Sequence, residues 1–197
     1  MIKILAFSGS ARKDSFNQRL VKIAARGAEQ AGAEVTVVNL GDFPMPLFNQ
    51  DDEAEFGLPA PAREFKKLLI EHDGFLIASP EYNSAFSPLL KNAIDWASRK
   101  EHPDEAPLLA YRGKLAVIMA ASAGALGGLR GLVFLRLLLG NIGVTVLARQ
   151  QAVSQADKAF DPDGRLLDEK LHETVEGLGR ELTQMLAKLT AGHTARS

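Results

Sequence analysis

Short apolar runs alternate with amphipathic stretches along this chain. The run at residues 74–79 is nearly continuous, which is typical of a strand buried on both faces of a parallel sheet, and charged or turn-forming residues flank all of the runs. They occupy residues 1–7, 34–40, 74–79, 114–121 and 144–148. Apolar residues spaced three or four positions apart predict helices at about residues 17–31, 62–71, 88–98, 129–139 and 168–189.

Five strands that alternate with helices predict an α/β fold. We expect a doubly wound, five-stranded parallel sheet in the order 2-1-3-4-5, with helices on both faces. Ligands of such sheets bind beyond the carboxyl ends of the strands, where the strand order reverses. Four prolines predict a long loop over residues 41–61, and residues 151–165 indicate a strand extension followed by a turn. The length suits one domain over residues 1–197.

The segment after the first strand has the composition of a phosphate-binding loop. Residues 8–17 read Ser-Gly-Ser-Ala-Arg-Lys-Asp-Ser-Phe-Asn and lead directly into the first predicted helix. Backbone N–H groups at a helix N-terminus bind phosphate, and Ser10, Arg12, Ser15 and Asn17 add side-chain donors. The Gly-x-Gly-x-x-Gly pattern of a dinucleotide site is missing, which favours a terminal monophosphate. The alternative is an ordinary turn with Ser and Asn as helix caps.

Two further loops are expected at the same edge of the sheet, because they follow strands that neighbour the first. Residues 79–87 offer an aromatic face at Tyr82 and the amide of Asn83, against which a flat heteroaromatic ring can pack. Residues 121–128 contain glycines that let the backbone approach a ligand closely, and Ser122 as a donor. Each loop alone is equally well explained as a capped or flexible turn. Their convergence favours a ligand site.

Composition narrows the chemistry and the partners. The chain has no cysteine, so disulfides, thiol nucleophiles and thiolate metal sites are excluded, and any redox chemistry requires a cofactor. The four histidines lack metal-ligand spacing, which predicts no metal. A net charge of −1 argues against a nucleic-acid partner. Without a signal-peptide pattern or the roughly 20 apolar residues of a membrane span, we expect a cytoplasmic protein that binds no membrane.

Four motifs follow one another over roughly the first two-thirds of the chain. They are GSxRxxSxN at residues 9–17, SPEYN at 79–83, LKNAIDW at 90–96 and SxGxxGG at 122–128. Together they resemble the NADPH-dependent FMN reductase family, flavodoxin-like proteins that include quinone, chromate and azo-dye reductases. The resemblance implies FMN as cofactor and a set of residues around it. The residues implied around the FMN phosphate are Ser10, Arg12, Ser15, Phe16 and Asn17. Those implied along the ring system are Pro80, Glu81, Tyr82 and Asn83, with Ser122 and Gly124 on the other side of the ring.

The resemblance also implies an activity. A reduced nicotinamide, NADPH or NADH, stacks on the flavin, delivers hydride and leaves, so that a small-molecule acceptor such as a quinone, free flavin, azo dye or chromate takes its place. The flavin carries this chemistry, so no catalytic side chain is predicted. The main alternative is a flavodoxin-like electron carrier without an efficient nicotinamide site. A phosphate-regulated signalling domain ranks last, because residues 8–10 lack the acidic cluster that it needs.

Three smaller hypotheses concern surfaces and packing. Residues 129–139 are apolar on nearly every side, whereas an outer helix of a monomer should be amphipathic, so we expect a homodimer or homotetramer. Lys91, Asn92, Asp95 and Trp96 are interpreted mainly as structural. Cations that are candidates for contact with the 2′-phosphate of NADPH are Arg12, Arg99, Lys100 and Arg112.

Overall fold

Parallel strands form the centre of the computed structural model, which describes residues 1–194, with side chains up to residue 191. One sheet contains β1 (Lys3–Ser8), β2 (Glu34–Asn39), β3 (Gly74–Ala78), β6 (Leu115–Ala121), β7 (Thr145–Val146) and β8 (Gln151–Val153), and β4 (Glu81–Tyr82) and β5 (Ala85–Phe86) form a separate hairpin. The order is β2-β1-β3-β6-β7, with β8 also beside β6 and every pair parallel. The predicted order is confirmed. Residues 195–197 of the predicted domain lie outside the described residues.

Two short strands share the fifth position of the sheet. β7 pairs with the start of β6 and β8 with its end. Between the two pairings, residues 147–150 lie opposite only Val117 and Ile118 of β6. The additional residues interrupt the hydrogen-bond ladder between the strands. The predicted strand near 144–148 and its extension from Gln151 are both confirmed.

Helices cover both faces of the sheet. They are α1 (Phe16–Gln30), α2 (Gln50–Phe56), α3 (Ala60–Glu71), α4 (Pro88–Ala97), α5 (Leu129–Asn141), α6 (Ala156–Ala159) and α7 (Glu169–Thr194). The buried apolar residues of α1 and α7 form the core on one face, with Ile4 and Ala6 of β1, and those of α3, α4 and α5 form it on the other, with Leu5 and Phe7. This alternation along β1 follows from the two-residue period of a strand.

The α1–α7 contact is close enough to require glycine. A Cβ on Gly27 would lie 2.0 Å from the carbonyl oxygen of Glu176, and one on Gly179 would lie 1.9 Å from that of Ala24. Both distances are far shorter than any van der Waals contact. The glycines therefore allow α7 to lie directly against α1, which carries the first loop of the site at its N-terminus.

The segment predicted as a long loop is partly helical, so the prediction for residues 50–56 is wrong. Asn49 caps α2 by accepting a hydrogen bond from the Asp51 N–H at 3.0 Å, and acidic residues fill its first turn, where the helix dipole favours them. None of the residues of α2 is buried, so no apolar periodicity announced this helix. An ion pair between Glu53 and Arg99, with Nε to Oε1 at 2.7 Å, ties α2 to the end of α4.

Candidate functional site

Three loops meet at the carboxyl edge of the sheet, as predicted. They are named here the first loop (residues 9–17), the second loop (79–87) and the third loop (122–128), and they follow the adjacent strands β1, β3 and β6. The Gly9 N–H donates to the Ala78 carbonyl at 2.8 Å, and the Ser87 hydroxyl donates to the Gly9 carbonyl at 2.6 Å. The first and second loops are therefore bonded to each other directly.

The first loop presents hydrogen-bond donors that the protein itself does not use. Among the described residues, none accepts a hydrogen bond from the backbone N–H groups of Arg12, Lys13, Phe16 or Asn17, or pairs with the exposed guanidinium of Arg12. The last two of these N–H groups belong to the first turn of α1, where the helix dipole adds partial positive charge. The loop therefore has the character of an anion site.

Two buried serines complete this loop. Ser10 is 6% exposed, and its carbonyl accepts a hydrogen bond from the Gln18 amide at 2.8 Å. Ser15 is 3% exposed and caps α1, accepting from the Gln18 N–H at 3.2 Å and keeping its own O–H as a donor. Ser15 therefore caps α1, as the alternative interpretation of this loop expected, and its hydroxyl hydrogen stays available to a ligand.

The side chains of Asn17 and Phe16 brace the loop against neighbouring elements. The Asn17 amide donates to the Ala121 carbonyl at 2.9 Å and accepts from the Ala121 N–H at 2.9 Å, which joins the start of α1 to the end of β6. The Phe16 ring stacks on Phe160, with centroids 6.0 Å apart and planes within 4°. The sequence analysis did not find Phe160, which lies in the segment between α6 and α7 and has no distinguishing pattern around it.

The second loop is a tight hairpin formed by β4 and β5. Its two turn residues, Asn83 and Ser84, have φ angles of 49° and 69°, the left-handed pair that a two-residue hairpin turn with the right twist requires. The turn leaves Tyr82 half-exposed at 50% beside the first residues after β3. This part of the site thus offers backbone groups in a fixed shape and one aromatic ring.

Glu81 directs its side chain away from the loop edge and onto α5. Its Oε2 accepts from the N–H groups of Arg130 and Gly131 at 3.1 and 3.2 Å, and its Oε1 accepts from the Arg130 Nε at 2.8 Å. Only the backbone of Glu81 remains for a ligand. The sequence analysis did not single out Arg130.

The third loop is compact and depends on its glycines. The Gly124 N–H donates to the Ser122 hydroxyl at 3.2 Å, and the Ser122 N–H donates to the Val153 carbonyl at 3.1 Å. Gly127 has a φ of 60°, and a Cβ there would lie 2.6 Å from the carbonyl carbon of Val153. Ser122 is partly exposed and Gly124 is exposed, which leaves this face open to a ligand.

A wall formed by residues 40–48 stands beside the first loop, since a Cβ on Gly41 would lie 2.9 Å from the Ala11 Cβ. Asn92 and Trp96 of α4 both donate to the Pro46 carbonyl at 2.8 Å, and the Phe48 N–H donates to the Asn92 side-chain oxygen at 2.8 Å. Trp96 is buried and meets Phe48 edge-on, with centroids 5.0 Å apart. These contacts agree with the structural interpretation of Asn92 and Trp96, which stays a prediction. A cavity of about 350 Å³ lies between this wall and the start of α4.

Of the four candidate cations for the 2′-phosphate, Arg12 alone lies in one of the three loops. Arg99 pairs with Glu53, at 2.7 and 2.9 Å from its Nε, and its guanidinium lies 5.5 Å from the Phe48 ring centroid. Lys100 follows Arg99, and its Nζ donates to the Pro103 carbonyl at 3.3 Å. Arg112 precedes β6 and belongs to the opposite, amino edge of the sheet.

Groups with shifted pKa values lie in the segment that leads to that amino edge. Burial raises the pKa of the Tyr111 hydroxyl, with the negative charge of Asp95 acting in the same direction, and burial lowers the pKa of Lys114 against the opposing charge of Asp73. Burial also acts to raise the pKa of Glu105, but hydrogen bonds from Lys66 and from the backbone outweigh it, so that this pKa is lowered. These shifts concern packing away from the three loops.

The described residues contain neither a cluster of metal-binding side chains nor a membrane-spanning helix. No three His, Asp or Glu side chains there lie close enough together to hold a metal ion, the His193 side chain being outside the described set. No helix in residues 1–194 is long and apolar enough to cross a membrane.

Comparison with known proteins identifies the family. A family model described as NADPH-dependent FMN reductase matches residues 2–158. The chain belongs to this family. The NAD(P)H-dependent FMN reductase of Pseudomonas aeruginosa is 38% identical over 176 residues, which cover 89% of this chain and 90% of the relative. An NAD(P)H:quinone oxidoreductase of Solanum tuberosum is 33% identical over 195 residues, with 96% and 95% covered.

A solved structure supports the same family and the fold. FerB, a flavoenzyme NAD(P)H:(acceptor) oxidoreductase from Paracoccus denitrificans, matches with a TM-score of 0.79 at 27% identity, over 95% of this chain and 98% of FerB. The flavodoxin-like α/β fold is thereby confirmed. As a member of the NADPH-dependent FMN reductase family, the protein is an oxidoreductase that uses FMN and NAD(P)H.

The residues present fit FMN. The first-loop N–H groups and the Arg12 guanidinium, which lack partners among the described residues, suit a phosphate monoester, which accepts several hydrogen bonds at once. The half-exposed Tyr82 ring and the open backbone near Gly124 suit a flat ring system with polar edges.

Proposed function

We propose that this protein uses NADPH or NADH to reduce small molecules of the quinone, flavin, azo-dye or chromate type, in two half-reactions that share one binding face. The observation that carries the proposal is the first loop, whose unused donors lie at the carboxyl edge of the sheet and adjoin an open hairpin. FMN, when bound, supplies the hydride and electron transfer. Relatives named as quinone and FMN reductases support the quinone and flavin acceptors in this proposal.

In this proposal the chain binds and orients and uses no side chain as acid or base. The phosphate is held by donors of Ser10, Arg12, Ser15, Phe16 and Asn17, with Phe16 and Asn17 contributing mainly their backbone N–H groups, since their side chains are occupied. The ring is held by the second and third loops, through Pro80, the backbone of Glu81, Tyr82, Asn83, Ser122 and Gly124. We propose that residues 1–197 act as one such domain, in the cytoplasm.

An anaerobic absorbance experiment tests the proposal. FMN is added to the purified protein, its spectrum is recorded, and NADPH or NADH is then added. Bleaching of the bound flavin within seconds, followed by reoxidation on adding a quinone, is expected. Bound flavin that bleaches only slowly would instead favour the electron carrier, and no binding would overturn the assignment of all three loops. We also expect parallel lines in double-reciprocal plots of the initial rate against donor concentration at several quinone concentrations, because on a shared binding face the oxidised nicotinamide must leave before the quinone binds.

We also propose that the protein forms a homodimer or homotetramer through α5. Leu132, Leu135 and Leu139 of this helix are buried in the core, so the helix is apolar on its inner face as well as on the outer one. The outer face carries Leu129, Val133, Phe134 and Leu137, which are 45%, 61%, 49% and 70% exposed. Light scattering should give the mass of two or four subunits, and Leu137→Glu should lower it. A monomeric mass for the wild-type protein at micromolar concentration would contradict this.

A further inference from the structure

Helix α5 has no cap of its own. The residue before it, Gly128, has no side chain and a left-handed φ of 91°. The first N–H groups of a helix have no acceptor within the helix, and leaving one of them without a partner costs free energy. The start of α5 therefore needs an acceptor from elsewhere in the molecule.

Glu81 of the second loop supplies that acceptor. Its Oε2 accepts from the N–H groups of both Arg130 and Gly131, at 3.1 and 3.2 Å, while its Oε1 meets the Arg130 guanidinium, with Nη2 at 2.6 Å. The Glu81 side chain is 8% exposed and the Arg130 side chain 60%. One oxygen thus caps the helix inside the protein, and the other belongs to an ion pair at the surface.

The backbones at this contact are in close approach, so the hairpin and the helix have little freedom relative to each other. A Cβ on Gly131 would lie 3.2 Å from the Ala85 carbonyl oxygen and 3.3 Å from the Glu81 Cβ. One on Gly128 would lie 2.7 Å from the Ala120 Cβ at the end of β6. The hairpin, the third loop and β6 therefore meet at a single point, and Glu81 is the polar connection there.

We propose that Glu81 is a positioning residue, whose capping of α5 fixes the spacing between the second and third loops and thereby the cleft that receives the flavin ring. The consequence for flavin rests on the proposed function, whereas the cap itself does not. The capping oxygen carries the effect because it bonds the backbone of α5 itself, whereas the ion pair reaches only the Arg130 side chain, which is 60% exposed.

The two oxygens allow three variants to separate the cap from the ion pair. Glu81→Gln keeps one carbonyl oxygen for the two N–H groups and loses the ion pair, Arg130→Ala loses the same pair and keeps the cap, and Glu81→Ala loses both. Glu181→Ala is the matched control. Glu181 lies on α7 and pairs with Arg149 at 3.1 Å, and neither residue belongs to the three loops. FMN affinity, the midpoint potential of bound FMN, and kcat and KM for NADPH are measured for each.

Glu81→Ala should weaken FMN binding about tenfold and shift the potential, whereas Glu81→Gln and Arg130→Ala should stay within about threefold of the wild type. Glu181→Ala should match the wild type. The proposal is overturned if Glu81→Ala leaves affinity and potential unchanged. It is overturned equally if Glu81→Gln is as impaired as Glu81→Ala, since charge rather than capping would then be responsible.

Hydrogen exchange in the flavin-free protein tests the cap separately. The Arg130 and Gly131 amides should exchange about tenfold faster in Glu81→Ala than in Glu81→Gln, and equal rates would overturn the capping step. A wild-type protein that binds no FMN would defeat the proposed function while this measurement still decides on the cap. If Glu81→Ala does not fold, Glu81→Gln decides the outcome. A Glu81→Gln protein that folds and binds FMN supports the cap, and one that binds FMN poorly overturns the proposal.

Discussion

The first and second loops lie side by side and use their polar groups in opposite ways. In the first loop, the Arg12 guanidinium and several backbone N–H groups have no partner among the described residues. In the second loop, the Glu81 carboxylate caps α5 and the Ser87 hydroxyl is bonded to the Gly9 carbonyl. One loop keeps several donors for a ligand, and the other uses the side chains of Glu81 and Ser87 to hold its own shape.

This difference indicates how each loop recognises its part of a flavin. Free donors suit a charged, hydrogen-bonding phosphate, for which side-chain chemistry matters most. A flat ring requires a surface of fixed shape, which the occupied side chains of the second loop maintain. Variants of the unpaired donors in the first loop should therefore act mainly on ligand affinity, and variants of bracing side chains in either loop mainly on the stability of the flavin-free protein.

Asn17→Ala should have the largest effect and is the sharpest test of this division. Asn17 lies in the first loop but braces it, since both its hydrogen bonds go to the buried Ala121 backbone. Removing the amide leaves two buried groups without partners, which should lower the free energy of unfolding of the flavin-free protein by about 3 kcal/mol. Urea denaturation measures the loss. Asn39→Ala, which removes an exposed turn bond to the Gly41 N–H, should cost about 0.5 kcal/mol; equal losses would contradict the bracing role.

Arg12→Ala should show the opposite behaviour, with an effect on binding alone. Its guanidinium has no partner among the described side chains, so the flavin-free stability should not change. Loss of a charge-assisted bond to phosphate should cost about 2 kcal/mol, or about 30-fold in the FMN dissociation constant. Fluorescence titration measures it. The neighbouring Lys13→Ala removes the same charge and should have a much smaller effect; equal effects of the two would indicate a general field and no specific contact.

Much of this division was visible in the sequence, because it depends on local pattern. Apolar runs and helical spacing located the strands and helices, the expected doubly wound fold supplied the strand order, and the small, hydroxylated segment after β1 identified the first loop. The convergence of three loops followed from topology alone. These features are encoded within a few residues of one another, where a single sequence is most informative.

The connections between the loops were not visible, because they join distant parts of the chain. Glu81 and Arg130 are 49 residues apart, and Asn17 and Ala121 are 104 apart. The lack of a capping residue before α5, where Gly128 stands, was the one hint that an acceptor comes from elsewhere. Helix α2 escaped notice because it buries no residue, leaving only the Asn49 cap and the acidic first turn as evidence.

Ser87→Ala should have a moderate effect that again falls on stability. The Ser87 hydroxyl caps α4, accepting from the Leu90 N–H at 3.2 Å, and donates to the Gly9 carbonyl at 2.6 Å. Its loss should cost about 1 kcal/mol in the flavin-free protein. Ser98→Ala at the other end of α4, where the hydroxyl donates to the Asp95 carbonyl, is the control and should cost less. A Ser87 variant no less stable than the Ser98 variant would contradict the link between the two loops.

Phe160→Leu should have the smallest effect and tests whether bracing reaches the ligand. Leucine keeps an apolar contact with Phe16 but removes the parallel stacking of the two rings, which should cost about 0.5 kcal/mol. Because Phe16 also donates its backbone N–H in the proposed phosphate site, the FMN dissociation constant should rise about twofold. Phe56→Leu, on the exposed face of α2, is the control and should leave that constant unchanged. If Phe160→Leu lowers stability and leaves binding intact, the brace supports the fold alone, and the first loop keeps its shape without it.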